Sequence, residues 1–245
     1  MADVNMQTGE SSDLQNFCKR IADFDLIYSP VSQINRMLYQ LNKDHQLSYT
    51  GLLPKQVDAV KAAMTGDVCV FLPTGYGKSL IYQLLPYLSD PPRPVVVASP
   101  LNAIISEQSE RLSSLSLVID NELLQALICD ESKLSPEMST KITNLQNNAY
   151  LYLIGHPEHL VSTVFKNILQ KLEASFLVVD EAHCVLSWGL SEFRPAFLQL
   201  PSLRCFMPGA KIVALTATAS QENQKVLQQE LHMKNPVTVH LPPDR

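Results

Sequence analysis

The chain has 245 residues, of which 46% are hydrophobic and 18% charged, a composition typical of a globular domain with an apolar core. Its formal net charge is −5, whereas a self-sufficient nucleic-acid-binding domain usually has a basic face, so tight DNA binding by this chain alone is not expected. No apolar run approaches the roughly 20 residues of a membrane span and no secretory signal is visible; we expect an intracellular protein with no membrane partner.

Residues 1–50 are polar, with apolar side chains at three- and four-residue steps and an interruption at Pro30. This spacing is typical of amphipathic helices, which proline interrupts. The segment is predicted to be a helical N-terminal extension.

Residues 51–245 alternate between short β-branched runs and stretches of helix length. Such alternation predicts an α/β domain with a mainly parallel central sheet covered by helices on both faces, which makes three layers. The runs that we predict to be strands read VCVFLP, VVVAS, LYLIG, FLVVD, KIVAL and VTVHL.

A glycine-rich loop follows the first of these runs, in FLPTGYGKSL. Gly75 and Gly77 allow the backbone to curl so that its N–H groups face a phosphate, Lys78 can reach the β- and γ-phosphates, and Ser79 can bind Mg²⁺. Leu72 occupies the place of the first glycine of the general pattern. The alternative is a turn that simply begins an ordinary helix.

An acidic pair follows the buried run FLVV, at Asp180 and Glu181. Open parallel sheets bind ligands at the carboxyl ends of their strands. Asp180 can hold the Mg²⁺ that bridges nucleotide phosphates, and Glu181 can orient or deprotonate the attacking water. A solvated strand end would also contain such a pair, and His183 by itself is more often a packed or surface histidine.

Several segments in order resemble the motifs of one protein family: PTGYGKSLIYQLLP, VVVASPLNAIISEQ, GHPEHL, DEAHCVLSWG, FRPAF and ALTATAS. The series resembles the first motor lobe of RecQ-family DNA helicases, from about Leu53 to the last residue. The resemblance implies a RecA-like P-loop NTPase fold, ATP and Mg²⁺ as cofactors, single-stranded or partly duplex DNA as partner, 3′–5′ helicase activity and a nuclear location.

The resemblance also assigns roles at the nucleotide. Gln56 would read the adenine, while Lys78, Asp180 and Glu181 would serve in hydrolysis. Mg²⁺ would be held by Ser79 and Asp180. The residues implied to bind the nucleotide are Gln56, Thr74, Gly75, Tyr76, Gly77, Lys78, Ser79 and Leu80.

Further residues would contact DNA or couple it to ATP: Ser99, Pro100, Asn102, Pro157, Glu158, His183, Trp188, Phe193, Arg194, Thr216 and Thr218. An aromatic ring beside an arginine suits base stacking together with a phosphate contact. Trp188 could instead be a core residue, and the two threonines could cap the helix that begins near Ser220.

Two places depart from the family pattern. Leu53 stands where an arginine is usual, with Lys55 as a substitute in reach. In the aromatic-rich loop, Ser187 replaces the usual glutamine, and LSEF (residues 190–193) replaces a shorter segment.

In this family ATP lies between two lobes, and the second lobe supplies an arginine finger. Residues 51–245 resemble the first lobe alone, so we expect ATP binding and no unwinding unless a second lobe is supplied. Two alternatives remain: a nucleotide- and DNA-binding module with reduced or no turnover, and an unrelated P-loop NTPase such as a kinase or a transporter ATPase.

Overall fold

A computed structural model of the chain describes residues 52–89, 93–114, 118–119, 122–123, 125–129, 150–217 and 220–241. The helical extension predicted over residues 1–50 lies outside these residues, and so does Thr218. In the described part of the chain, no helix is long and apolar enough to cross a membrane.

Seven parallel strands form the central sheet, and a two-residue hairpin lies apart from it. In chain order the strands are β1 (Val68–Phe71), β2 (Val95–Ala98), β3 (Val118–Ile119), β4 (Glu122–Leu123), β5 (Gln125–Cys129), β6 (Tyr150–Gly155), β7 (Phe176–Val179), β8 (Lys211–Thr216) and β9 (Val237–His240). The sheet order is β5-β6-β2-β7-β8-β1-β9, and β3 pairs with β4 in the antiparallel hairpin. The six predicted strands are all present; β5 and the hairpin were not predicted.

The helices follow the strands in the predicted alternation. They are α1 (Pro54–Thr65), α2 (Lys78–Leu84), α3 (Asn102–Ser114), α4 (Pro157–Leu160), α5 (Thr163–Leu169), α6 (Ala196–Gln199) and α7 (Gln221–Glu230). Two 3₁₀ helices span Leu85–Leu88 and Leu200–Cys205, and a π-helical turn spans Val185–Gly189. Proline at the first position begins α1 and α4, since its fixed φ suits a first helical turn.

Two apolar clusters pack against opposite faces of the sheet. Because side chains alternate along a strand, Val68 and Val70 of β1 face the cluster that contains α1, α2 and α3. Cys69 and Phe71 face the other cluster, which includes side chains of α4 to α7. The predicted three-layer α/β architecture is therefore confirmed.

A buried carboxylate joins several segments at the amino-terminal edge of the sheet. Asp67, just before β1, is 2% exposed. Its two oxygens accept hydrogen bonds from the guanidinium of Arg204, from the backbone N–H of Ile212 at 2.8 Å and from that of Lys234 at 2.7 Å. A buried ionised carboxylate requires such partners. The two motifs predicted to bind nucleotide, after β1 and after β7, lie at the opposite, carboxyl-terminal edge.

Candidate nucleotide and nucleic-acid site

The glycine-rich loop over residues 72–77, called the phosphate loop below, connects β1 to α2. Two of its glycines have a left-handed backbone conformation. Gly75 has φ +82° and Gly77 has φ +77°, a region that residues with a Cβ rarely adopt. A Cβ on Gly77 would also lie 2.6 Å from Nε2 of Gln56. The loop therefore needs glycine at position 77 for two reasons, its backbone conformation and the close approach of α1.

Gln56 supports this loop with both ends of its amide. Nε2 donates to the carbonyl oxygens of Tyr76 at 2.9 Å and Gly77 at 3.1 Å, and Oε1 accepts from the N–H of Leu53 at 2.8 Å. The side chain is 2% exposed. This supporting role of Gln56 was not predicted, although the loop itself was. The adenine contact of Gln56 stays a prediction.

The other loop residues predicted to bind nucleotide differ in exposure. Nζ of Lys78 is folded back to donate to the carbonyl of Leu72 at 3.1 Å. Thr74 is exposed, and Ser79 is half-buried. Leu80 is buried in the core beneath α2, so only its backbone can take part in phosphate binding.

Asp180 follows β7 and is 8% exposed. Burial, reinforced by the adjacent charge of Glu181, raises the pKa of Asp180 to about 6, although the N–H of Glu181 and the charge of Lys78 oppose the shift. A carboxylate destabilised in this way gains from a bound cation. Mg²⁺ commonly uses one or two carboxylates together with substrate phosphates, and Asp180 with Ser79 fits that arrangement. The described residues contain no cluster of three or more acidic, His or Cys side chains that could hold a metal alone.

Glu181 is connected to β8 through a histidine. Nδ1 of His183 lies 3.2 Å from Oε2 of Glu181 and 3.0 Å from Oγ1 of Thr216. Thr216 ends β8, and its carbonyl accepts from the N–H of Leu72 at 3.1 Å, where the phosphate loop begins. Helix α7 is capped by Ser220, so the alternative role of Thr216 as its cap is wrong.

Arg194 connects three segments that the sequence analysis assigned to DNA binding. Its Nη1 donates to the carbonyl of Pro100 at 2.7 Å, after β2, and its Nε donates to Oε1 of Glu158 at 2.7 Å, after β6. Burial alone would raise the pKa of Glu158, but hydrogen bonds from Arg194 and from the backbone lower it overall. The guanidinium was predicted to contact a phosphate; here it is engaged within the protein.

His156 extends this arrangement. Its Nδ1 lies 3.2 Å from the carbonyl oxygen of Ser99, and its Nε2 lies 2.6 Å from Oδ1 of Asn102. Burial and the neighbouring Arg194 charge lower its pKa, which favours the neutral ring. His156 was not predicted as a site residue, although it directly precedes Pro157 and Glu158, which were predicted to contact DNA or to couple it to ATP.

The aromatic-rich loop presents one exposed ring on a packed base. Trp188 is half-buried and lies edge-on to Phe193 and Phe197, with ring centroids 5.9 and 6.2 Å apart. Phe193 is 71% exposed. Trp188 is thus neither a core residue nor a free platform, and Phe193 is the ring open to a ligand. The loop begins with the π-helical turn and contains Glu192 at φ +62°, within the segment 190–193 that departs from the family pattern.

Comparison with solved structures identifies the fold. The chain matches the DUF1998 helicase MrfA bound to DNA with a TM-score of 0.60, 19% identity, and coverage of 82% of this chain and 27% of that one. It matches the helicase domain of Hef from Pyrococcus furiosus with a TM-score of 0.57, 17% identity, and coverage of 77% and 38%. These are helicase domains, so the predicted P-loop NTPase fold is confirmed.

Curated relatives are similar over most of the chain. ATP-dependent DNA helicase Q5 of Rattus norvegicus is 37% identical over 75% of this chain, ATP-dependent DNA helicase RecQ of Haemophilus influenzae 30% over 76%, and ATP-dependent helicase SGS1 of Saccharomyces cerevisiae 33% over 83%. The matched regions cover 19%, 29% and 14% of those three proteins. The DEAD/DEAH box helicase model matches residues 53–226. The chain belongs to the DEAD/DEAH box helicase family and contains a motor domain similar to those of RecQ-type DNA helicases.

Proposed function

We propose that this chain is the ATP-binding and hydrolysing lobe of a RecQ-like 3′–5′ DNA helicase, and that it needs a second lobe to unwind DNA. The observation that carries this proposal is the meeting of two motifs at one edge of the sheet. Strands β1 and β7 both pair in parallel with β8, so Lys78 after β1 and Asp180 after β7 lie at the same carboxyl-terminal edge of the sheet. The charge of Lys78 also opposes the rise in the pKa of Asp180. Sequence positions 102 apart are thus joined in one site, which supports nucleotide hydrolysis.

Each residue has a distinct task in that reaction. The loop amides bind the phosphates, and Lys78 exchanges its contact with the Leu72 carbonyl for a phosphate oxygen. Ser79 and Asp180 would hold Mg²⁺, which would supply positive charge to neutralise the phosphates. Glu181 accepts the proton of the attacking water.

The His183 contact orients the Glu181 carboxylate and connects it to Thr216. Thr216 in turn contacts Leu72 through its backbone. A change of nucleotide can therefore reach the strand end of β8 through hydrogen bonds. This chain of contacts supports a coupling role for His183 and Thr216; the part assigned to Thr218 remains a sequence-based proposal.

DNA would contact the segments joined by Arg194. The exposed ring of Phe193 suits stacking on an unpaired base. Asn102 and Glu158 lie in the first turns of α3 and α4, which follow β2 and β6. The Arg194 contacts hold these segments together. With a net charge of −5, the chain would bind DNA weakly by itself. A DNA substrate would place the protein in the nucleus of a eukaryotic cell.

A second lobe would complete the ATP site. An arginine finger contributes about 10³–10⁵ in rate in related NTPases, and the matched region spans at most 29% of the three curated relatives named above. Their remaining length leaves room for such a lobe. The expected property of the present chain is nucleotide binding with little turnover.

The test is a titration with a fluorescent ATP analogue and Mg²⁺, combined with an ATP hydrolysis assay with and without single-stranded DNA. We expect binding by the wild type and by Glu181→Gln, and at least tenfold weaker binding by Lys78→Ala, because a charge-assisted phosphate contact is removed. Lys225→Ala, an exposed lysine on α7, is the matched control.

Three outcomes would contradict the proposal. Equal nucleotide affinity in Lys78→Ala and Lys225→Ala would mean that the loop does not bind phosphates. Turnover retained by Glu181→Gln would remove Glu181 from the reaction. DNA-stimulated turnover or unwinding by the purified chain would show that no second lobe is needed.

A further inference from the structure

A second cavity lies at the amino-terminal edge of the sheet, away from the proposed ATP site. It has a volume of about 250 Å³, and its lining includes Arg93, Ser175 and Lys211 beside the apolar Met64 and Phe176. Met64 lies near the end of α1, and the other four residues lie at or just before the first residues of β2, β7 and β8. Since those strands have four to six residues at about 3.3 Å per residue, the two sites are separated by about 13–20 Å.

The lining of the cavity is cationic. The described lining residues include Arg93 and Lys211 and no carboxylate. Nζ of Lys211 donates to the carbonyl of Met64 and lies 5.7 Å from the ring centroid of Phe176. Burial lowers the pKa of Lys211, with Asp67 opposing the shift, and that carboxylate is already engaged by Arg204 and two backbone N–H groups. Lys211 is thus a partly desolvated cation, and Asp67, the acid whose charge acts on it, has other partners.

Arg93 and Ser175 add two groups that a ligand could engage. Arg93 is 3.4 Å from Oε2 of Glu173, and their side chains are 48% and 80% exposed, so this ion pair contributes little and can be exchanged. Oγ of Ser175 is buried and has no hydrogen-bond partner among the described residues. Native proteins rarely leave such a group unpaired.

We propose that this cavity binds a small oxyanion of the phosphate type, held by Arg93 and Lys211, with the Ser175 hydroxyl completing the site after a small shift. The guanidinium of arginine matches the oxygens of such an anion in a bidentate arrangement. A volume of about 250 Å³ is below the roughly 300–1,000 Å³ of pockets for drug-sized ligands, which favours a free anion or one phosphate group of a small metabolite. An adjoining depression shares Lys211 and is also lined by Asp67, Arg204 and Lys234. Because Asp67 neutralises Arg204, Lys234 is the residue that adds positive potential there.

The experiment uses the full chain with Lys78→Ala, which removes phosphate binding at the proposed ATP site and so separates the two proposals. Inorganic phosphate and ribose 5-phosphate are titrated by calorimetry, with sodium chloride at matched ionic strength as the blank. We expect saturable binding, and at least tenfold weaker binding on Arg93→Gln or on Lys211→Met, because each loses a charge-assisted contact. Lys225→Gln, which removes an exposed charge elsewhere, should leave it unchanged.

A preference for inorganic phosphate would support the site and identify its ligand as a free anion. A preference for ribose 5-phosphate would support the site and identify its ligand as a phosphorylated metabolite. Arg93→Gln keeps the proposal testable if Lys211→Met does not fold, since Arg93 is half-exposed at the surface. Absence of binding above the chloride blank would overturn it. Equal weakening by Lys225→Gln would overturn it as well, because the effect would then be one of net charge.

Discussion

Replacing Arg194 by alanine should loosen the aromatic-rich loop without unfolding the domain. The substitution removes the hydrogen bonds to Glu158 and to the carbonyl of Pro100. The side chain of Arg194 is 18% exposed and that of Glu158 is 43% exposed. The contribution of this pair to stability should therefore lie between that of a buried hydrogen bond to a charged group, about 1.5–3 kcal/mol, and that of a surface ion pair, about 0–1 kcal/mol. We expect the free energy of unfolding to fall by about 1–3 kcal/mol.

At about 2–4 °C per kcal/mol for a chain of this size, this loss corresponds to a fall in Tm of about 2–12 °C. Trp188 is the only tryptophan, and its ring lies 5.6 Å from the Arg194 guanidinium, so its fluorescence reports on this loop. Urea unfolding followed by circular dichroism measures stability, and acrylamide quenching of Trp188 measures loosening of the loop, which should increase.

The matched control is Arg93→Ala in phosphate-free buffer, because the contact of that side chain among the described residues is an exposed ion pair. We expect it to cost less than about 1 kcal/mol and to leave quenching unchanged. If Arg194→Ala and Arg93→Ala gave the same unfolding midpoint and the same quenching, Arg194 would not hold the three segments together.

Three further predictions concern stability, pH and the phosphate loop. Asp67→Ala should lower the free energy of unfolding by about 3–5 kcal/mol, since it removes the carboxylate from the half-buried Arg204 and leaves the backbone N–H groups of Ile212 and Lys234 without their partner. Asp58→Ala, at an exposed pair, should cost less than about 1 kcal/mol, and equal urea midpoints would contradict the prediction. The pKa of Glu158 is lowered on folding, so the wild type should have a larger free energy of unfolding than Glu158→Gln. This difference should be fully present above about pH 4.3 and should disappear as the pH falls through the folded-state pKa. A difference that does not change with pH would argue against the Arg194 contact. Gln56→Ala should weaken binding of inorganic triphosphate as well as ATP, because it removes support from the loop; a loss confined to ATP would instead indicate an adenine contact alone.

The sequence by itself was sufficient for the features that depend on near neighbours in the chain. Alternation of β-branched runs with helical stretches predicted six strands and the three-layer fold, because burial on both faces makes a parallel strand continuously apolar. The phosphate loop could also be predicted from the sequence, because its left-handed backbone at Gly75 and Gly77 favours glycine at those positions. The strand β5, in the run QALIC, escaped prediction because periodicity does not separate a short apolar strand from a helix.

Only the tertiary structure decided how these features are combined. Gln56 supports the loop 20 residues away, Arg194 reaches Pro100 across 94 residues, and Arg204 pairs with Asp67 across 137. Such contacts depend on the strand order, which places β7 and β8 between β2 and β1. That order arises from the packing of helices on both faces of the sheet. The local sequence pattern does not specify which distant side chains become neighbours once the strands are ordered.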